Sequence, residues 1–247
     1  MRNWLYMKLH GVSAMGRLPI LCYHNIGQAA PASQFKLLYV SPEQFVRQLW
    51  TLQRLGLKGV SITEGLRGLE SNTRSNLVVL TFDDGYLDTF TQALPILKRF
   101  GFTATCYLVS DCVGSYNSWD AQFLQETKPL MAREHVQRWL SAGMEIGSHS
   151  CSHPRLPDLD EAGAQREIVA SRAALEAAFG LEIQHFCYPF GRFTAATAEA
   201  VRKAGYRSAV SLLPGSARPH TSAYQLPRML VNGEQSWLRF VLKVAVR

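Results

Sequence analysis

Two adjacent carboxylates, Asp83 and Asp84, stand in the segment Thr81-Phe-Asp-Asp-Gly-Tyr86. Carboxylates this close repel, and one of them holds a proton unless a cation separates their roles. A metal ion bound by one Asp would leave its neighbour free as a base. The alternative is an Asp-Asp-Gly turn that caps a helix. Two histidines follow in His149-Ser-Cys-Ser-His153. At i and i+4, two imidazoles can face one site across a single helical turn, as metal-binding pairs do. Polar surface histidines are the plainer alternative. One carboxylate and two imidazoles leave a coordination position open to water, which marks a catalytic metal site rather than a structural one. Cys151, between the histidines, is expected to point away from them.

The elements that must position these groups alternate between strand and helix. Residues 18–23 read as a buried strand, and residues 76–82 as a second, apolar in succession and so suited to burial on both faces. Between them Ser41 caps a helix, with Pro42 in its first turn and Gln44 completing a capping box. Gly56 ends that helix. Further strands are expected over 103–109, 144–147, 184–188, 207–212 and 225–231. Helices are expected around 93–100, over 133–140, 161–179 and 195–203. Alternation of this kind points to a parallel sheet with helical crossovers. About seven such units close into a barrel more readily than they lie open. Barrels of this type gather their chemistry at the C-terminal ends of strands, where the candidate residues fall.

The combination resembles the polysaccharide deacetylase family, also called carbohydrate esterase family 4. Its Thr-Phe-Asp-Asp-Gly motif is matched at Thr81–Gly85, and its His-Ser/Thr-x-x-His motif at His149–His153. Its Arg-x-Pro-Tyr/Phe-Gly motif corresponds to Cys187-Tyr-Pro-Phe-Gly191. The resemblance runs from about residue 18 to 231. It implies a distorted (β/α)7-type barrel, with residues 1–17 as an extension and 18–247 as one catalytic domain. It implies removal of an acetyl group from an N-acetylated sugar or glycan. Asp83 is then the base, and Asp84, His149 and His153 hold a divalent ion, zinc above all, with cobalt or nickel as alternatives. Phe190 offers its backbone N–H to the oxyanion. Two departures stand out. Cys187 occupies the place of the family's arginine, for which Arg228 is the expected substitute. The general acid normally found near the C-terminus is missing. However, Leu21-Cys-Tyr-His24 looks like the entry strand of the circularly permuted branch, which includes poly-N-acetylglucosamine deacetylases. That resemblance makes His24 the acid. Tyr188 and Trp119 are candidate sugar-stacking residues.

The whole chain sets the bounds. It has 247 residues, 47% of them hydrophobic, with a net charge of +7 and five cysteines. An odd cysteine count without a paired framework, and an N-terminus whose apolar runs span only a few residues, favour a reducing, cytoplasmic setting. The positive charge suits an anionic partner, such as a phosphorylated or lipid-linked sugar or an acidic membrane surface. Nucleic acid is not expected, since no binding motif accompanies the charge. Residues 236–247 read as an amphipathic helix with Arg239, Lys243 and Arg247 in one stripe. They are too short to span a bilayer but suited to its inner face. Two other functions fit part of the pattern: an amidohydrolase or deformylase acting on another small amide, and a glycan-binding module that has lost turnover. Retention of both aspartates and both histidines speaks against the second.

Overall fold

The computed structural model describes residues 16–31, 33–34, 36–71, 76–120 and 127–245. Most of the extension expected over 1–17, and Arg247 of the C-terminal stripe, lie outside these residues. The strands are β1 Ile20–Tyr23, β2 Asn25–Ile26, β3 Tyr39–Val40, β4 Lys58–Val60, β5 Leu77–Phe82, β6 Thr105–Leu108, β7 Glu145–Ser148, β8 His185–Cys187, β9 Ser208–Val210 and β10 Met229–Leu230. The helices are α1 Pro42–Arg54, α2 Ile62–Glu70, α3 Leu94–Phe100, α4 Arg133–Ser141, α5 Glu161–Phe179, α6 Ala195–Lys203 and α7 Trp237–Ala245.

The large sheet runs β10-β1-β5-β6-β7-β8-β9, with β4 also paired to β5. Its ladders are all parallel. The segment expected as a strand over 225–231 closes the ring: Leu226 bridges Val210 of β9, and Met229 and Leu230 pair with Leu21 and Cys22 of β1. A distorted parallel barrel results. Residues 58–70 carry an additional unit, β4 and α2, that the apolar pattern did not suggest. β4 is only three residues long. At its centre a Cβ on Gly59 would lie 2.6 Å from both Leu80 and Phe102. A capping box does mark α2: Ser61 accepts from the Glu64 N–H, and the Glu64 carboxylate accepts from the Ser61 N–H.

Strand side chains alternate between the two faces, and here both faces are covered. Leu21, Tyr23, Leu80, Phe82, Cys106, Phe186 and Tyr188 face outward and are buried beneath the helices. Phe45, Phe82 and Trp139 meet edge to face there. Ile20, Val79, Tyr107, Cys187 and Val210 form a second cluster inside the ring. The inward phase of β1 continues through Cys22 to His24. That of β5 continues through Thr81 to Asp83. A two-residue period therefore delivers an imidazole and a carboxylate to one end of the barrel interior.

Candidate active site and metal centre

Asp83 and Asp84 lie just past β5 and are almost fully buried, at 2% and 4% exposure. The Asp83 N–H is held by the Tyr23 carbonyl of the neighbouring strand at 3.0 Å. Its carboxylate receives a two-pronged contact from Arg228, Nη1 to Oδ1 and Nη2 to Oδ2, each at 2.7 Å. The same guanidinium donates to the Ser211 carbonyl, the Thr81 hydroxyl and the Cys187 sulfur, so each of its nitrogens has an acceptor. Burial alone would raise the Asp83 pKa. The Arg228 contact outweighs burial and holds the carboxyl far below the usual range. The guanidinium thus reaches Asp83 from the strand segment after residue 225. It approaches across the space that Cys187 leaves.

Asp84 adopts a left-handed backbone, φ 71°. This turns its side chain toward the histidines. Its Oδ1 lies 3.4 Å from His149 Nε2 and 3.3 Å from His153 Nε2. The two histidines share no helical turn, contrary to expectation. They sit on an irregular loop after β7, with Ser150 and His153 both left-handed, at φ 66° and 63°. Glu167 of α5 holds this loop, accepting from the N–H groups of Cys151 and Ser152 and from the Ser152 hydroxyl. Cys151 turns its sulfur toward the Glu167 carbonyl and away from the histidines.

These three donors fit a metal ion. His149 Nδ1 lies 2.8 Å from the Cys187 carbonyl, which can only accept, so the proton sits on Nδ1 and the Nε2 lone pair faces Asp84. Ligands of a tetrahedral ion with bonds of ~2.1 Å stand ~3.4 Å apart. The separations from Asp84 to the two histidines match that spacing. The ligand atoms of Asp84, His149 and His153 all lie within 4.8 Å of one another. Burial pushes Asp84 toward the neutral acid, but the polar contacts with the His149 and His153 rings hold its pKa well below the usual range.

A cavity of about 230 Å³ opens over these groups, and His24, Asp83, Asp84, His149, His153 and Phe190 contribute to its wall. His24 Nε2 is 4.0 Å from Asp83 Oδ2. Phe190 is left-handed, φ 58°, and the bond from Gly191 N–H to the Tyr188 carbonyl closes its turn at 2.8 Å. Among the described residues, the non-glycine positions with left-handed backbone are Asp84, Ser150, His153 and Phe190. All belong to this site, where backbone strain is sustained by the surrounding contacts.

Trp119 stacks on His153 with ring centroids 4.6 Å apart. Tyr188 is elsewhere. It follows Cys187 in the outward phase, is fully buried between Phe186 and Phe193, and donates its hydroxyl to the Tyr224 carbonyl. It has no face to offer a sugar, and the period-2 alternation of β8 is the reason. Four wall residues carried no motif in the sequence: Leu38, Asp120, Arg155 and Leu212. Burial, reinforced by the charge of Asp84, raises Asp120 to a pKa of about 6.

Residues 70–209, more than half of the chain, match the family model for polysaccharide deacetylase. YxkH of Bacillus subtilis, assigned by name to the polysaccharide deacetylases, is 28% identical over 91% of this chain and 75% of its own length. A poly-beta-1,6-N-acetyl-D-glucosamine N-deacetylase of Staphylococcus epidermidis is 22% identical over 87% of this chain and 78% of its own. The fold matches that of the Streptococcus pyogenes deacetylase PplD, solved with acetate, at a TM-score of 0.80. The match covers 92% of this chain and 98% of that one at 23% identity. The family model leaves out β1, β4 and β10, which complete the same barrel, and the candidate metal donors lie within its span. With its motifs, barrel and donor set together, this chain belongs to the polysaccharide deacetylase family.

Proposed function

We propose that this protein is a hydrolase that removes the acetyl group from the nitrogen of an N-acetylated sugar or glycan. The observation that carries the reading is the donor trio Asp84, His149 and His153 beside the ionised Asp83, at the floor of one small cavity. The trio would hold one divalent ion, and zinc suits one carboxylate with two imidazoles. Such an ion supplies Lewis-acid polarisation of a carbonyl and acidifies water toward a pKa of about 7.

The chain's own residues supply the rest. Asp83, kept ionised and oriented by Arg228, accepts the proton of the attacking water. His24, 4.0 Å from Asp83 in the same cavity, delivers a proton to the leaving nitrogen. An amide needs that proton because an amine anion is a very poor leaving group. The Phe190 turn presents its N–H toward the developing oxyanion, where one such donor is typically worth about 3–4 kcal/mol. Trp119, the expected sugar-stacking residue, packs its ring on His153 and supports the cavity from behind that imidazole. Acetate release from N-acetylglucosamine oligosaccharides, with and without chelator, tests the reading. Asp83→Asn is expected to retain metal and lose about 10²–10⁴-fold in turnover. His149→Ala is expected to lose the metal itself, read by elemental analysis. Equal metal in wild type and His149→Ala overturns the donor assignment.

We further propose that the exposed side of α7 rests on an anionic membrane surface and so brings the cavity to lipid-linked or surface-bound sugars.

A further inference from the structure

We infer that Arg155 selects substrates whose sugar carries an anionic oxygen group, a carboxylate or a phosphate. The inference rests on the deacetylase reading above and narrows its substrate class. Arg155 lies on the turn between β7 and α5, two residues beyond His153, and contributes to the cavity wall. A series of rings holds it there. Trp119 stacks on His153, Phe190 meets His153 edge to face at 4.7 Å, and the Arg155 guanidinium carbon lies 5.2 Å above the Phe190 ring. Stacking uses the face of a guanidinium and leaves its N–H edge available.

The other ionisable groups of the cavity already have polar partners. Asp83 has Arg228, and Asp84 has the two histidines. His24 faces Asp83, and Asp120 accepts from the Tyr86 hydroxyl at 3.4 Å. The Arg155 guanidinium makes no hydrogen bond or ion pair among the described residues. Leu38 and Leu212 supply apolar wall. An exposed, forked donor at the edge of a small cavity, with no acceptor among the described residues, fits a planar carboxylate or a phosphate in two-pronged fashion. A neutral hydroxyl uses only part of that capacity. The cavity admits little beyond one sugar, so the anion must lie on the ring bearing the acetamide or on its immediate linkage.

The test compares kcat/KM for acetate release from three substrates built on one N-acetylglucosamine oligosaccharide: unmodified, 6-phosphorylated, and carrying a 3-O-carboxyethyl ether. Wild type is expected to favour at least one anionic form by about tenfold, equivalent to ~1.4 kcal/mol. Arg155→Ala should remove that preference through KM, costing the anionic substrate about tenfold more than the neutral one. Arg155→Lys should restore part of it, and Arg155→Glu should reverse it. The phosphate and carboxylate arms identify which anion is read. Equal kcat/KM for neutral and anionic substrates in wild type overturns the inference. So does an equal loss on all substrates in Arg155→Ala, which would mark a purely structural role. If no substrate releases acetate, the deacetylase reading fails instead. Calorimetric titration with N-acetylglucosamine 6-phosphate and with N-acetylglucosamine then reads Arg155 by itself. A wild-type preference for the phosphate that Arg155→Ala abolishes keeps the inference, and equal binding of the two sugars ends it.

Discussion

At Asp83 two effects oppose each other: burial favours the neutral acid, and the Arg228 fork favours the anion. The fork wins, so Asp83 is ionised throughout the neutral range and presents a fixed edge to the cavity. Removing one partner of a buried ion pair typically costs about 3–5 kcal/mol, because the other is left uncompensated. Arg228→Met is therefore expected to lower stability by that order in urea unfolding and to abolish turnover while metal remains bound. Arg228→Lys keeps the charge without the fork and should recover stability more than activity. A second buried titratable group lies at the opposite end of the barrel. His185 sits between the Ser208 and Thr63 hydroxyls, and burial lowers its pKa to about 4. Its folded pKa is below the unfolded value of about 6.5, so the unfolded chain binds the proton first. Its contribution is present above pH 6.5 and is lost as pH falls from 6.5 toward 4. The full loss is about 3 kcal/mol, partly offset by the neighbouring Glu145, which burial shifts upward. Urea midpoints at pH 7.5 and 5 should differ in wild type and differ less in His185→Gln. Of the residues that matter at this scale, the Asp pair and the histidine pair were legible because their members are adjacent or nearly so. Asp120 and Arg155 were not, because each is a single ordinary surface residue until the loops converge. Tyr188 misled because its neighbours form a motif while its own phase in β8 points outward.

Elements hold these groups through a few connections that no local pattern reveals. The histidine loop depends on Glu167, which lies one crossover away on α5 and gathers two backbone N–H groups and a hydroxyl. Partners that orient ligands in this way typically carry a 10–100-fold share of metal affinity. Glu167→Ala is expected to weaken metal binding by that factor in chelator competition, with the fold retained by circular dichroism. Unchanged affinity would mean that the left-handed Ser150 and His153 set the loop by themselves. A spacing of i and i+4 suggested a helical turn here. The chain takes a different route because β7 ends immediately before His149, and Pro154 disfavours a helical backbone at His153. Longer elements were easier to foresee. α5 carries Ala164, Ile168, Ser171 and Leu175 on its buried face and ends at a left-handed Gly180. The unit β4–α2 escaped because a three-residue strand centred on glycine gives no apolar run. Its Ser61–Glu64 capping pair was the available signal.

For the molecule as a whole, the barrel fixes where the site opens and α7 fixes one neighbouring surface. Phe240, Val241 and Val244 of α7 are buried, and Trp237 donates to the Thr51 hydroxyl of α1. The helix is therefore part of the packed structure. Its expected cationic stripe is altered, because Lys243 turns inward to the Leu230 carbonyl and the Gln235 side chain. The outer side still exposes Trp237, Leu238 and Leu242 at 61%, 60% and 47%, with Arg239 among them. Leu37 and Leu242 line one surface groove together with Arg239, and Leu37 precedes Leu38 of the cavity wall. Apolar side chains beside a guanidinium suit the headgroup boundary of an anionic bilayer, where burial and charge act together. No helix among the described residues is long and apolar enough to cross a membrane. Deleting α7 would uncover the Phe240 and Val244 core contacts, so truncation is a poor test. The double variant Leu238→Glu/Leu242→Glu alters only the exposed side and should leave the thermal midpoint unchanged. Wild type is expected to sediment with phosphatidylglycerol-containing vesicles at low salt, to be released as salt rises, and to ignore purely zwitterionic ones. The double variant should remain in the supernatant in every case. Equal sedimentation of the two proteins, or none by wild type at low salt, would leave α7 a packing element and the exposed leucines without a partner.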